Sequence, residues 1–455
     1  MLNKRLLRLI MFMINCTFLI FPLSTCKMQF NSGINEQEIN FMRTSGNKIL
    51  DENGNEFIIK AINVGSGGFE PDAWNWGNPV QYLDPYRKMT EDDYEEIAGM
   101  GFNAVRLCMD YKHFYFDAWT WDNPLPTETT YVSYDPGVDA VNAWKYFDDN
   151  IQWAKKYGLK VIPNLHYPPG GYQSLGEGTG FWEGDYINGV YHEAAYFQDL
   201  FIYFWVELAS RYADEPAILG YGLLNEPVPT VRISEEMTWN DIIVEVAKAV
   251  ARYDEIMVST VDSIRAVDPN HIIVIEKILM VKDLVTNKVY YPGDSGVLGH
   301  LFTVLPYKNI LYEFHYYLSF NLQYVSQEPA LIYTSSEHWP YYKSIIDSRL
   351  AWSDTHNLPV FLGEYGTTRY TSAMDLTLYS GLPHESLNLG GENFLNDVLG
   401  YIIEKGLNSA YYSWKESNPD GFGLYEQYHW TWKGINAHTR AIPNTSFIDI
   451  IRLYF

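Results

Sequence analysis

The chain has 455 residues, of which 47% are hydrophobic and 19% charged, so it can bury a large core and is too apolar for an intrinsically disordered polymer. Its formal net charge of −24 excludes nucleic acid and other polyanions as partners and leaves neutral ligands. Its three cysteines, Cys16, Cys26 and Cys108, form no disulfide framework, so packing alone must stabilise the fold.

Residues 1–25 carry Lys4, Arg5 and Arg8, no acid, and an apolar run from Leu9 to Leu23 interrupted at Asn15, Cys16 and Thr17. This is the pattern of an export signal. The run is short for a membrane span, which needs about 20 apolar residues, and a retained signal anchor is the second reading. Leu23-Ser24-Thr25-Cys26 is similar to a bacterial lipoprotein cleavage box, with Thr where Gly, Ala or Ser is usual. Lipid anchoring at Cys26 and plain secretion both stay open. Loss of residues 1–25 would move the net charge from −24 to −27. Residues 27–42 read as a tether and 43–455 as one domain without an internal linker; a monomer is expected.

The domain begins with Lys48 to Phe57, a hairpin pattern with Asn53-Gly54 at its turn. It is placed as a plug at the bottom of whatever follows. Beyond it, one joint recurs: a charged amphipathic segment ends at Gly or Asn and a short apolar run follows. It occurs at Gly101, Gly158, Asn270, Asn357 and Gly406. Gly and Asn tolerate the left-handed backbone that ends a helix, so these are helix C-caps feeding strands. Val141, Trp144, Phe147, Ile151 and Ala154, at steps of three or four, show the helical face of one such segment.

The apolar runs give eight strands in chain order: 57–63, 102–108, 159–165, 218–224, 271–276, 310–316, 358–364 and 408–414. They alternate little, as strands covered on both faces do. The fold class is α/β, a (β/α)8 TIM barrel. A doubly wound sheet ranks behind, because no Gly-rich phosphate fingerprint follows the first strand. Surplus chain falls at 66–88, 110–138, 168–192, 277–309, 318–340, 368–392 and 415–433, always after a strand, which puts the long loops on the C-terminal face where barrels carry their sites.

Two strands end in a carboxylate: Asn225-Glu226-Pro227 on the fourth and Gly363-Glu364-Tyr365 on the seventh. Either alone reads as an ordinary loop acid. Around them stand Arg106 on the second strand, Asn164 and His166 on the third, His315 and Tyr317 on the sixth, and Trp414 on the eighth. Residues two apart on a strand share a face, so Asn164 and His166, and likewise His315 and Tyr317, point inward together. Paired carboxylates at opposite strand ends suit glycoside cleavage through a covalent intermediate, which needs them about 5–5.5 Å apart.

On Arg106, His166, Asn225, Glu226, His315, Tyr317, Glu364 and Trp414, in this order, the chain closely resembles glycoside hydrolase family 5, over about residues 45–433. The resemblance implies that Glu226 is the acid/base and Glu364 the nucleophile of a retaining β-glycosidase. Arg106, His166, Asn225, His315, Tyr317 and Trp414 would bind substrate around them. Glu364 is expected ionised beside Arg106 and Tyr317, and Glu226 protonated beside His315 and Trp414. Asn225 would bond the sugar 2-hydroxyl, and Gln173, in a loop that also resembles the family, another hydroxyl. Trp414 reads either as a sugar platform or as a core aromatic, and His166 as a ligand or a structural histidine. Trp74, Trp76, Trp119, Trp121, Trp182, Trp430 and Trp432 lie in the long loops, as stacking surfaces or loop packing. Glu276, ending the fifth strand, is a third inward carboxylate with no assigned role beyond contact with substrate hydroxyls.

No His-Glu-x-x-His helix, cysteine cluster or Asp-rich calcium loop occurs, so neither metal nor cofactor is expected. The expected substrate is a neutral β-glycan, with an endo-β-1,4-glucanase as the leading reading. β-Mannanase, exo-glucanase or β-glucosidase, glycolipid glycosidase, transglycosylase and a non-catalytic glycan-binding barrel are the alternatives.

Overall fold

The computed structural model describes residues 41–64, 89–114, 131–132, 141–171, 180–187, 190–292, 302–317, 333–367, 390–416, 423–426 and 442–455. Residues 1–40, with the export signal, Cys26 and most of the tether, lie outside them, as do Gln173, Trp74, Trp76, Trp119, Trp121, Trp430 and Trp432. Residues 40–455 form one compact unit.

Eight parallel strands close into a barrel: β1 (Lys60–Val64), β2 (Ala104–Asp110), β3 (Lys160–Tyr167), β4 (Gly220–Gly222), β5 (Ile272–Glu276), β6 (Ile310–His315), β7 (Val360–Tyr365) and β8 (Asn408–Tyr411). Each pairs with the next, and β8 closes onto β1 through Ser409 and Lys60. Helices return the chain: α1 (Glu91–Gly99), α2 (Ala143–Lys156), α3 (Ala194–Tyr212), α4 (Trp239–Arg265), α5 (Ser335–His356) and α6 (Gly391–Lys405), with α7 (Thr445–Tyr454) last. Among the described residues no helix stands between β5 and β6, where Val281–Asp283 and Val289–Tyr290 form an antiparallel pair instead. None of the described helices is long and apolar enough to cross a membrane.

Four of the five joints take the left-handed conformation: Gly101 (φ 96°), Gly158 (φ 72°), Asn357 (φ 53°) and Gly406 (φ 59°). Asn270 does not. After α4 ends, Asp268 Oδ1 accepts the backbone N–H groups of Asn270 (2.9 Å) and His271 (3.1 Å), and this side-chain turn redirects the chain into β5 without a left-handed residue.

Two apolar layers hold the barrel. Outside it, α2 buries Trp144, Phe147, Ile151 and Ala154, and the other helices do likewise against the outward-facing strand residues. Inside, Ile59, Ala61, Ala104, Ile162, Leu219, Ile272, Val274, Leu311, Phe361 and Ala410 form a separate dry cluster near the strand starts. Met42 and Ile49 join this cluster. They come from the N-terminal hairpin, in which Arg43–Ser45 pairs with Lys48–Leu50 and the chain turns again at Gly54 (φ 86°) under two N–H bonds to Asp51 Oδ1. The hairpin therefore plugs the floor, as its pattern predicts.

Candidate active site

Along most strands the inward face changes character toward the C-terminal end. On β2 Ala104 gives way to Arg106, on β3 Ile162 to Asn164 and His166, on β5 Val274 to Glu276, and on β6 Leu311 to Glu313 and His315. The alternation of a strand produces this directly, because residues i, i+2 and i+4 share a face. β7 departs from it. Its pairing shifts register between Leu362 and Tyr365, and with that irregularity Glu364, rather than Tyr365, meets Arg106 in the interior.

Arg106 is fully buried at the centre. Its Nη1 donates to Asn63 Oδ1 (2.8 Å) and Glu364 Oε1 (2.8 Å) and lies 3.0 Å from His166 Nε2. Its Nη2 donates to Asn225 Oδ1 (2.8 Å), and its Nε is 2.8 Å from Glu313 Oε1. Burial opposes its charge, but Glu313 and Glu364 outweigh that and raise its pKa further, so it stays cationic. Burial pushes Glu313 up, but Arg106, the hydrogen bond and charge of His315, and His166 together draw it below the usual carboxylate range. Gly363 makes this ion pair possible: a Cβ there would lie 1.7 Å from Glu313 Oε1.

Glu226 and Glu364 face each other across His315. A carboxylate oxygen of each and a ring nitrogen of His315 all lie within 4.8 Å of one another. His315 Nδ1 is 3.2 Å from Glu226 Oε1 and 3.6 Å from Glu364 Oε2. Burial alone would discharge this imidazole, yet the carboxylates of Glu276, Glu364, Glu226 and Glu313 raise its pKa well above the ordinary value, which keeps a proton at this point. Tyr317 donates to Glu364 Oε2 at 2.8 Å. Burial and the charge of Glu364 raise its phenol pKa, so it remains a donor. Both expected hydrogen-bond donors to Glu364, Arg106 and Tyr317, are in place.

Arg106, His166, Asn225, Glu226, His315, Tyr317 and Glu364 thus come together as the sequence predicts, and His166 sits in the cluster, 3.7 Å from Glu364 Oε1. Trp414 does not join them. It is fully buried, donates its indole N–H to Asp93 Oδ1 on α1 (3.0 Å) and packs edge-on against Tyr425, so it offers no face to a sugar. Regular β8 stops at Tyr411, and the inward parity of Ala410 therefore passes to Tyr412 and no further. Half-buried Tyr412 stands edge-to-face with Tyr317, the donor to Glu364, at 6.5 Å between ring centroids. Trp182 is buried too, against Phe181, which favours packing over stacking. Glu276 also departs from its expected contact with substrate: it is 3% exposed, and its oxygens face Glu226 N and His315 rather than the cleft.

Besides Tyr412, sequence reasoning missed Asn63 and Glu313. Both had a signal. Asn63 shares inward parity with Ile59 and Ala61 on β1, and Glu313 with Leu311 and His315 on β6.

Comparison with known proteins bears on the family and the fold. The family described as Cellulase (glycosyl hydrolase family 5) matches residues 50–418. A beta-xylosidase of Phanerodontia chrysosporium is 24% identical over 72% of this chain and 61% of its own length. Endoglucanase B of Acetivibrio thermocellus is 25% identical over 61% of this chain and 46% of its own, and cellodextrinase A of Ruminococcus flavefaciens 24% over 70% and 78%. The chain thus spans about half the length of the first two relatives. Among solved structures, the endoglucanase Cel5A of Thermotoga maritima superposes with a TM-score of 0.50 at 16% identity, covering 86% of this chain and 96% of the other. The endocellulase of Pyrococcus horikoshii gives 0.55 at 16%, over 91% and 99%. At these identities the superpositions speak for the barrel alone.

Proposed function

Because the chain belongs to glycosyl hydrolase family 5, we propose that it is a retaining β-glycoside hydrolase acting on a neutral β-linked glycan, most specifically an endo-β-1,4-glucanase. The observation that carries the reading is that a carboxylate oxygen of Glu226 and one of Glu364 lie within 4.8 Å of each other, which favours the close pair of a double displacement. An inverting pair needs about 6.5–9.5 Å to admit a water between them.

In this mechanism Glu364 attacks the anomeric carbon while Glu226 gives its proton to the departing oxygen, and the glycosidic C–O bond breaks. Water then gives a proton to Glu226, attacks the same carbon and releases Glu364. Arg106 and Tyr317 orient the nucleophile. Asn225 turns its Oδ1 to Arg106, which leaves its NH2 group as donor to the sugar 2-hydroxyl. Tyr412 supplies the aromatic contact for the reacting ring. The endoglucanase and cellodextrinase relatives support a glucan. The relative named beta-xylosidase favours a second reading, removal of single sugars from a chain end.

The test is the purified protein against carboxymethylcellulose, mixed-linkage β-glucan, glucomannan, mannan, xylan, laminarin and aryl β-glycosides, with products sized. Mixed oligomers from a β-1,4-glucan support the endoglucanase. Monosaccharide release selects the exo reading, and binding without turnover would leave a non-catalytic barrel. Export through residues 1–25 belongs to the same proposal, and the mass of the mature N-terminus separates a lipidated Cys26 from a plain cut.

A further inference from the structure

A third carboxylate buried beside a reacting pair is an expensive arrangement unless it is fully engaged. Glu276 is fully engaged, and by the protein. Its Oε2 accepts the backbone N–H of Glu226 at 2.8 Å, and its Oε1 lies 3.4 Å from His315 Nδ1. Its own carbonyl accepts from Tyr253 Oη on α4 at 2.7 Å, so its main chain is tied to the outer helix layer.

The partner of Oε2 is unusual. Glu226 has φ 42°, in the left-handed region that a residue with a side chain seldom occupies. Just before it, the main-chain ladder from β4 to β5 runs through Gly222 and Val274 and ends with Leu223 N–H on Val274 O at 3.2 Å. Asn225 is fixed on the other side, by its N–H to Leu165 O (3.0 Å) and its Oδ1 to Arg106. At Glu226 the chain turns out of the barrel wall, and the acceptor for its N–H comes from a side chain on the neighbouring strand.

We propose that Glu276 is the positioning residue of the acid/base: its carboxyl holds the amide of Glu226, locks the left-handed backbone there, and so fixes the line along which the Glu226 carboxyl meets the leaving oxygen. This rests on the assignment of Glu226 as acid/base. For holding this amide what counts is reach; the charge of Glu276 serves His315 and, at 3.9 Å, Arg106. Gln at 276 keeps an oxygen at the same distance; Asp keeps the acid but withdraws it by roughly 1.5 Å, one carbon–carbon bond.

The experiment compares kcat/KM on 2,4-dinitrophenyl β-cellobioside, whose leaving group needs no protonation, with that on phenyl β-cellobioside, whose leaving group does. Glu226→Ala is the reference, with thermal unfolding midpoints alongside. Glu276→Asp is expected to lose between roughly ten- and a hundred-fold more on the phenyl than on the dinitrophenyl substrate, the scale of a reacting group misplaced by about 1 Å. Glu276→Gln is expected to keep the wild-type ratio between the two substrates. Equal losses on both substrates in Glu276→Asp, or a split in the Gln variant and none in the Asp variant, overturn the inference. If Glu226→Ala itself shows no split, the acid/base assignment has failed. If it does and Glu276→Asp does not, only the positioning role has.

Discussion

The floor and the mouth of the barrel are built from the same strands and are held in opposite ways. At the floor, Ile272 and Val274 of β5, Leu311 of β6 and Phe361 of β7 meet Ile49 of the hairpin in a dry apolar cluster. Two to four residues further along, at about 3.3 Å per residue, the interior holds Arg106, His315 and the carboxylates of Glu276, Glu313 and Glu364. Apolar burial stabilises each large floor side chain by about 1.5–3 kcal/mol and tolerates approximate fit. Buried ion pairs contribute little net stability, because desolvation offsets attraction, but they tolerate no missing partner. The barrel therefore separates stability from geometry along the length of each strand.

Substitutions at the two levels should fail differently. Glu364→Ala should give the largest effect, loss of turnover on every substrate; Glu226→Ala should lose roughly 10²–10⁴-fold, and far less where the leaving group needs no proton. Steady-state kinetics on both substrate types checks this, and a reversed rescue pattern would exchange the two roles. Phe361→Ala, at the floor, should cost about 3–5 kcal/mol in denaturant unfolding while kcat measured well below the transition is kept. A large drop in kcat there would erase the division between the two levels.

Gly363→Ala lies at the boundary and should blur it. The new methyl would meet Glu313 Oε1, so overpacking of about 1–3 kcal/mol should appear together with a fall in kcat as Glu313 leaves Arg106. Unfolding and kinetics measured on one preparation would show whether the two move together. The smallest effect is in the pH dependence of stability. His315 has its pKa raised well above 6.5 in the fold, so its proton stabilises the protein fully below about pH 6.5, and that contribution fades as pH rises through the folded value. The midpoint deficit of His315→Gln should accordingly be greatest in mild acid and shrink toward alkaline pH; a deficit that grows with pH would mean that His315 is neutral.

The barrel was legible because its joints are local chemistry. Gly101, Gly158, Asn357 and Gly406 each announce the end of a helix by a backbone conformation that few residues adopt. Asn270 misled because Asp268 makes the turn through a side chain, which no single residue type signals. At the site, parity carried Asn164 with His166 and His315 with Tyr317, and applied to Asn63 and Glu313 it would have carried those as well. It failed at Trp414, where the regular strand has already ended and the inward place belongs to Tyr412. The role of Glu276 lay beyond any pattern in the sequence, since it depends on a backbone amide donated from another strand.

The seam where β8 meets β1 joins Asn408 Oδ1 to the amide of Ile59 across 349 residues of chain. At about 5–20 residues per second the two halves of that seam leave a ribosome roughly 20–70 s apart. Throughout that interval the growing sheet has open edges, each ready to pair with another chain. A polypeptide cut short before Asn408 would be left as an unclosed sheet rather than a smaller barrel.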